Sequence, residues 1–274
     1  MIDENIEAFR RIARAAAQAA GEILRDNWRL PKTIDYKGVI DLVTSVDRDC
    51  ERKIIEVIRR GFPDHSILAE EETNIHNAQC AYRWIIDPLD GTTNFAHGYP
   101  QFCVSIALEQ SSQVIFGLVY DPVRDERFEA ALGQGATLNG EALCVSTVSE
   151  LDKALLATGF PYDRRKFADF YLSYFKEFMI RCQGIRRAGS AALDLCYVAC
   201  GRFDGYWELK LKPWDIAAGA LILAEAGGRL SDFSGERFSI DGRETLASNR
   251  LIHEEMVHIA AAVTKNRVDC TPTR

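Results

Sequence analysis

The stretch Trp84 to Phe95 reads WIIDPLDGTTNF, an apolar run that ends in two aspartates, Asp87 and Asp90, separated by Pro88 and Leu89. Three other stretches set acids at the ends of expected elements: Asp41 and Asp47 in DLVTSVD, Glu70 and Glu71 in AEE, and Asp215 after Trp214. Each has a modest explanation when taken singly. Asp47 lies three residues after Thr44, where it can complete a capping box. Asp215 falls in a first helical turn, where the dipole favours negative charge, and Glu70 and Glu71 can be acids of a surface turn. The 87–92 stretch resists such treatment. Pro88 is expected to end a buried strand, so the two aspartates would flank a tight turn that the backbone freedom of Gly91 helps to close. Carboxylates ~4 Å apart repel by ~4 kcal/mol at an effective dielectric of about 20, against a total domain stability of ~5–15 kcal/mol. Something positive belongs between them. An all-oxygen set of Asp and Glu, with no histidine or cysteine nearby, suits magnesium rather than zinc. A helix opening at Thr92-Thr93-Asn94 would aim backbone N–H groups at an anion, for which phosphate is the natural candidate. Hard cations beside such a helix start are the chemistry of phosphate-ester hydrolysis.

These residues need elements to hold them. From Glu4 to Trp28, Ile6, Phe9, Ile12, Ala13, Ala16, Ala20, Ile23 and Leu24 recur at three- and four-residue intervals, the pattern of an amphipathic helix, with Asp3 as its cap. After a turn at Leu30-Pro31, a second helical pattern runs from Val46 to Arg60 and stops at Gly61-Phe62-Pro63. Ile67–Ala69 and Arg83–Ile86 read as short buried strands. Cys103–Leu108 and Val114–Tyr120 read as an antiparallel hairpin. Near Glu150 the pattern changes to strands alternating with helices. Strands are expected at 154–157, 184–187 and 204–209, and helices at 167–181, at 190–200 and from Pro213 to the Ala226-Gly227-Gly228 stop. Two lobes, 1–150 and 151–274, follow from that change.

Composition narrows the classes. At 274 residues, with 47% apolar and 27% charged residues, the chain is long enough for a large core and has the balance of a globular protein. Its apolar runs, such as 217–224, fall short of the ~20 residues of a bilayer span. The N-terminal region carries Asp3, Glu4 and Glu7 where a signal peptide would be basic and then apolar, so a cytoplasmic location is expected. A net charge of −7 argues against broad nucleic-acid binding, and the small clusters Arg164-Arg165-Lys166 and Arg186-Arg187 read as solvated surface. The eight cysteines include no C-x-x-C pair, and buried free thiols are expected.

With DLVTSVD (41–47), AEE (69–71), WIIDPLDGTTNF (84–95), RRAGSAALDL (186–195) and KPWDIAAGALILAEAGG (212–228) in this order, the chain resembles the inositol monophosphatase family, within the lithium-sensitive, magnesium-dependent sugar phosphatases, over nearly its whole length. The resemblance implies an α+β fold, a five-layered αβαβα sandwich of the inositol monophosphatase and fructose-1,6-bisphosphatase type. It also implies a homodimer with metals between the lobes. Carried over by position, Glu70, Asp87, Asp90, Asp215 and the Leu89 carbonyl would hold Mg2+. Glu70 would also orient the attacking water, and Thr92 with Asp47 would take its proton. The Gly91 and Thr92 amides would hold the phosphate, while Gly189, Ser190, Ala191 and Glu208 would face the alcohol. The implied reaction is metal-assisted hydrolysis of a phosphate monoester by direct attack of water, without a covalent enzyme intermediate. Inositol monophosphate is the favoured substrate. Fructose 1,6-bisphosphate, histidinol phosphate, adenosine 3′,5′-bisphosphate and dinucleotide phosphates are the alternatives, together with a metal-stabilised interaction protein whose phosphatase activity is incidental. Two positions depart from the family pattern: Ala69 stands where a glycine is frequent, and Lys37 is one residue from the usual lysine.

Overall fold

The computed structural model describes residues 4–30, 34–36, 42–71 and 73–268; the expected cap Asp3, the turn residue Pro31, Lys37 and Asp41 lie outside the described residues. The first amphipathic pattern is α1 (Glu4–Asn27), and its Ile6, Phe9, Ala13, Ala16, Ala20 and Leu24 are all buried. The strands β1 (Ile34–Tyr36) and β2 (Leu42–Thr44) pair antiparallel and lead into α2 (Ser45–Gly61). Helices α1 and α2 pack together on one face of an eight-stranded sheet. Its strands are β3 (Ser66–Ala69), β4 (Asn74–Ile75), β5 (Tyr82–Asp90) and, after the short helix α3 (Thr92–Ala96), β6 (Cys103–Gln110), β7 (Gln113–Asp121), β8 (Glu126–Ala131), β9 (Ala136–Leu138) and β10 (Glu141–Ala142). The order across the sheet is β10-β9-β8-β7-β6-β5-β3-β4.

Pro88 does not end its strand. β5 continues to Asp90, and its pairing with β6 shifts register between Asp87 and Asp90. A bulge already breaks the ladder, so a residue without an N–H costs nothing further there. The two aspartates therefore sit on a kinked strand end rather than around a turn.

The second half supplies β11 (Leu155–Thr158), α4 (Arg164–Met179), β12 (Gly184–Arg186), α5 (Ala191–Ala199), β13 (Gly205–Leu209), α6 (Pro213–Glu225), β14 (Arg229–Ser231), β15 (Glu244–Ser248) and α7 (His253–Val268). The strands form a five-stranded sheet in the order β12-β11-β13-β15-β14. Helices α5 and α6 lie between the two sheets, which explains why every residue of α5 is buried and why α6 is apolar all round. Close approach of α6 to the first sheet depends on Gly117 of β7, where a Cβ would stand 2.8 Å from the Ala218 carbonyl oxygen. Helices α4 and α7 cover the outer face, with Phe178 stacked on Trp207 at 4.2 Å. The layers run αβαβα. Helix α4 starts at Arg164, earlier than its apolar pattern suggests, because Phe167 departs from helical geometry (φ −123°, ψ 30°) and divides the first turn from the rest. Among the described cysteines all thiols are free; Cys50, Cys103 and Cys196 are buried as expected, whereas Cys144, in the loop after β10, is exposed. No helix among the described residues is long and apolar enough to cross a membrane.

One buried histidine gives this fold a pH dependence. His253 opens α7, fully buried, with Nδ1 2.9 Å from Ser248 Oγ and Nε2 3.0 Å from Ser231 Oγ. Burial, with Arg229 nearby, pushes its pKa down to about 4. As pH falls below about 6.5 the unfolded chain takes up a proton that the native imidazole refuses, so this contribution to stability is full above that point and is lost towards pH 4. The expected loss is about 3 kcal/mol. Urea midpoints across pH 7 to 4 should fall more steeply for the wild type than for His253→Gln, which has no proton to gain.

Candidate active site

A cleft of about 470 Å³ opens where the end of β5, the start of α3, the start of α5, the end of β13 and the start of α6 converge. Glu70, Asp87, Asp90, Thr92, Glu208 and Asp215 line it. Glu70 follows β3, which pairs in parallel with β5, so both strand ends deliver acids to the same edge. Asp215 is the third residue of α6, behind Pro213 at the helix start, and its Oδ2 accepts the Lys212 N–H at 2.7 Å. Asp215 thus stands in the first helical turn, as expected, where it also caps the helix start, and the same side chain lines the cleft.

The bulge in β5 fixes the other acids. Asp87 Oδ1 accepts the Leu89 N–H at 2.9 Å. Asp90 Oδ2 accepts Ser190 Oγ–H at 2.6 Å and the Ala192 N–H at 2.8 Å, with Cys103 Sγ at 3.8 Å. Gly91 follows at φ 98°, a conformation that disfavours side chains, and a Cβ there would lie 2.8 Å from the Gln101 carbonyl oxygen. That turn starts α3 and places Thr92 Oγ1 3.1 Å from both Asp47 Oδ1 and the Leu89 carbonyl oxygen. Asp47, buried on α2, therefore faces the cleft residue Thr92 across 45 positions of sequence.

The electrostatics agree with the sequence argument. Burial, then Glu70, Asp90 and Asp215, raise the Asp87 carboxyl well above its ordinary range. Burial, then Glu70 and Asp90, do the same to Asp215. Asp90 rises to about 6, through burial, although Ser190 and the amides opening α5 pull it back. Asp87 and Asp215 are thus each raised by burial and by the carboxylates around them, as acids gathered to share a cation would be. Their all-oxygen chemistry fits a hard divalent cation. Among the described residues no three such side chains already stand in ligating geometry, so these acids gather round a cleft rather than closing on a point.

On the alcohol side, Gly189, Ser190, Ala191 and Glu208 also line the cleft. The Ser190 hydroxyl is spent on Asp90. Glu208 Oε2 accepts the Tyr206 O–H at 2.6 Å, and its carboxylate packs over Gly159, where a Cβ would come within 2.0 Å of it. Burial lifts Glu208 to about 7, against the Tyr206 hydrogen bond and Arg187, which lower it. It is not a solvated surface acid.

Sequence reasoning missed three polar contributors. Arg164 and Arg187, read as solvated surface, line the cleft, with the Arg187 guanidinium 5.9 Å from the Phe160 ring centre. Adjacency of Arg187 to the GSAALDL stretch was the available signal. Asn94, inside the quoted 84–95 motif, donates to the carbonyls of Gln101 and Ala188 at 2.6 and 2.9 Å, tying α3 to the loop before α5.

The pattern of the inositol monophosphatase family matches residues 5–266. The chain belongs to this family. It is 46% identical, over 94% of its length and 90% of the relative's, to a protein named inositol-1-monophosphatase from Synechocystis sp.. Over 88% of its length and 91% of the relative's it is 43% identical to a protein named Nus factor SuhB from Escherichia coli. Among solved structures, inositol monophosphatase from Anabaena (Nostoc) sp. superposes with a TM-score of 0.86 at 45% identity, covering 94% of this chain and 97% of that one. The SuhB protein of Bartonella henselae superposes with a TM-score of 0.89 at 38% identity, covering 92% and 98%. The α+β sandwich is thus the fold of the inositol monophosphatase family, and the chain is a phosphatase of a metal-dependent family.

Proposed function

We propose that the chain hydrolyses small polyol phosphate monoesters, inositol monophosphate foremost, at a magnesium site made by Glu70, Asp87, Asp90, Asp215 and the Leu89 carbonyl. The observation that carries this reading is the single cleft in which those acids meet the Thr92–Asp47 pair. Division of the chain at residue 150 would give Asp215 to the second lobe and the other acids to the first. When bound, magnesium would supply positive charge among these acids and would withdraw electrons from water and phosphoryl oxygens. Glu70 orients the attacking water. Thr92 Oγ takes its proton and passes its own to Asp47, already within hydrogen-bond reach. The Gly91 and Thr92 amides hold the phosphoryl oxygens for in-line displacement. Glu208, with Gly189, Ala191 and the Ser190 backbone, faces the alcohol.

Phosphate release should need magnesium and stop with chelator. Magnesium at 100 times its dissociation constant should add ~2.7 kcal/mol to native stability if it ligates only the folded state. A melting curve that is the same in chelator and in saturating magnesium overturns the shared metal site. A panel of inositol 1-phosphate, fructose 1,6-bisphosphate, histidinol phosphate, adenosine 3′,5′-bisphosphate and a dinucleotide phosphate settles the substrate. A homodimer has an apolar stripe available, since Leu172, Met179 and Ile180 are exposed on and just beyond α4. A second reading, a macromolecular interaction role, has in its favour the resemblance to proteins named Nus factor SuhB. A purified protein that releases no phosphate from any of the panel would favour it.

A further inference from the structure

Ser190 occupies the residue before α5, the position where a serine hydroxyl ordinarily bonds an amide of its own helix. It makes no such cap. Its Oγ–H turns to Asp90 Oδ2 at 2.6 Å, and the amide of Ala192, two residues into the first turn, donates to the same oxygen at 2.8 Å. The cap of α5 is therefore a carboxylate a hundred positions away on the other sheet. Cys103 Sγ closes the third side, 3.8 Å from Asp90 Oδ2 and 3.6 Å from Ser190 Oγ. Ser190 and Cys103 are buried, 1% and 0% exposed, so the hydroxyl cannot exchange this partner for solvent. These donors hold one oxygen of Asp90 and fix the plane of its carboxylate.

We infer that Ser190 is a positioning residue for the Asp90 carboxylate, and through it for divalent-cation affinity, rather than a side chain that reads the alcohol. This rests on the magnesium reading above and adds a role for this chain's own serine. The physical basis is general. A ligating carboxylate left free to rotate loses conformational freedom on binding, whereas one already held by hydrogen bonds from its outer partners does not. The arrangement also ties the cation site to the contact between the two sheets, because α5 belongs to the middle layer and Asp90 to the end of β5. Loosening the Ser190 bond should weaken both.

The test compares wild type, Ser190→Ala and Cys103→Ala, each titrated with magnesium by calorimetry and by melting temperature, alongside kinetics on inositol 1-phosphate and glycerol 2-phosphate. Removing an outer partner of a metal ligand commonly costs ~10- to 100-fold in affinity. Ser190→Ala is expected to need at least about tenfold more magnesium for half-saturation, with a smaller melting shift at fixed magnesium. With magnesium below saturation its kcat/KM should fall, and by the same factor for both substrates. Cys103→Ala, which removes only a weak thiol donor, should show a smaller change in the same direction. If Ser190→Ala binds magnesium as wild type does, and instead raises KM for inositol 1-phosphate alone, the serine reads the alcohol and the inference falls. A lower melting temperature in chelator with an unchanged magnesium response would show a purely structural bond and would overturn it too. A wild type that does not respond to magnesium would overturn the metal reading itself, which sets that failure apart from the other two.

Discussion

Asp90→Asn is expected to cut turnover by about a thousandfold or more, a barrier increase of ~4 kcal/mol, in a protein that still folds. The expectation combines two roles of one carboxylate. As the cap of α5, Asp90 needs only an acceptor, and an asparagine oxygen can still receive the Ala192 amide and the Ser190 hydroxyl. As a member of the four-acid cleft it must carry charge, and an amide of the same shape carries none. Melting temperature in chelator should therefore change little or rise, because burial already disfavours the ionised acid there. The stabilisation that magnesium brings to wild type should shrink. Phosphate release with saturating magnesium, measured beside circular dichroism and melting curves, decides the matter. A folded Asp90→Asn that retains more than about a tenth of wild-type activity, a deficit of only ~1.4 kcal/mol, would show that Asp90 is not a principal cation ligand.

How far such roles can be read in the sequence depends on whether they are local. The acid types, their lack of histidine or cysteine neighbours in sequence and the helix start after Gly91 are properties of short stretches, and the cleft gathers Glu70, Asp87, Asp90 and Asp215 from them. Helices α1 and α6 were equally plain, one from its three-and-four spacing and the other from its proline start and glycine stop. The bulge was not. It depends on how β5 pairs with β6, and Pro88 taken alone indicates an end. Strand β8 was hidden for a different reason. Its Glu129 breaks the apolar pattern yet is buried, because Arg14 of α1 and Arg127 meet it. The short strands β14 and β15 offered too few residues for a period, and the continuous apolar run 259–263 blurs the face on which α7 buries Met256, Val257, Ala260 and Val263. The Ser190–Asp90 bond joins residues a hundred apart, and a serine before a helix suggests an ordinary cap. Long-range partners change what a residue does without changing its local pattern.

Glu208 is the residue on which substrate choice should turn, and Glu208→Ala is expected to cost ~1.5–3 kcal/mol of transition-state binding for inositol 1-phosphate, about 10- to 150-fold in kcat/KM. It lies near the end of β13, held from one side by the Tyr206 hydroxyl and from the other by Gly159, so its carboxylate is fixed rather than free to swing. A fixed acceptor at a cleft wall discriminates well, because ring hydroxyls left without it have no nearby substitute once water is displaced. Glycerol 2-phosphate has no ring to lose and should fall much less, since its phosphate still meets the same acids and the Gly91 and Thr92 amides. Alanine also strips Tyr206 of its acceptor, a structural effect that would reach both substrates. Glu208→Gln separates the two causes, because its amide oxygen can still accept from Tyr206 while the charge presented to the alcohol is gone. The glutamine variant should therefore melt like wild type and still lose efficiency on inositol 1-phosphate more than on glycerol 2-phosphate. Equal proportional losses on the two substrates, or none, would show that Glu208 does not read the polyol and would reopen the other phosphate esters.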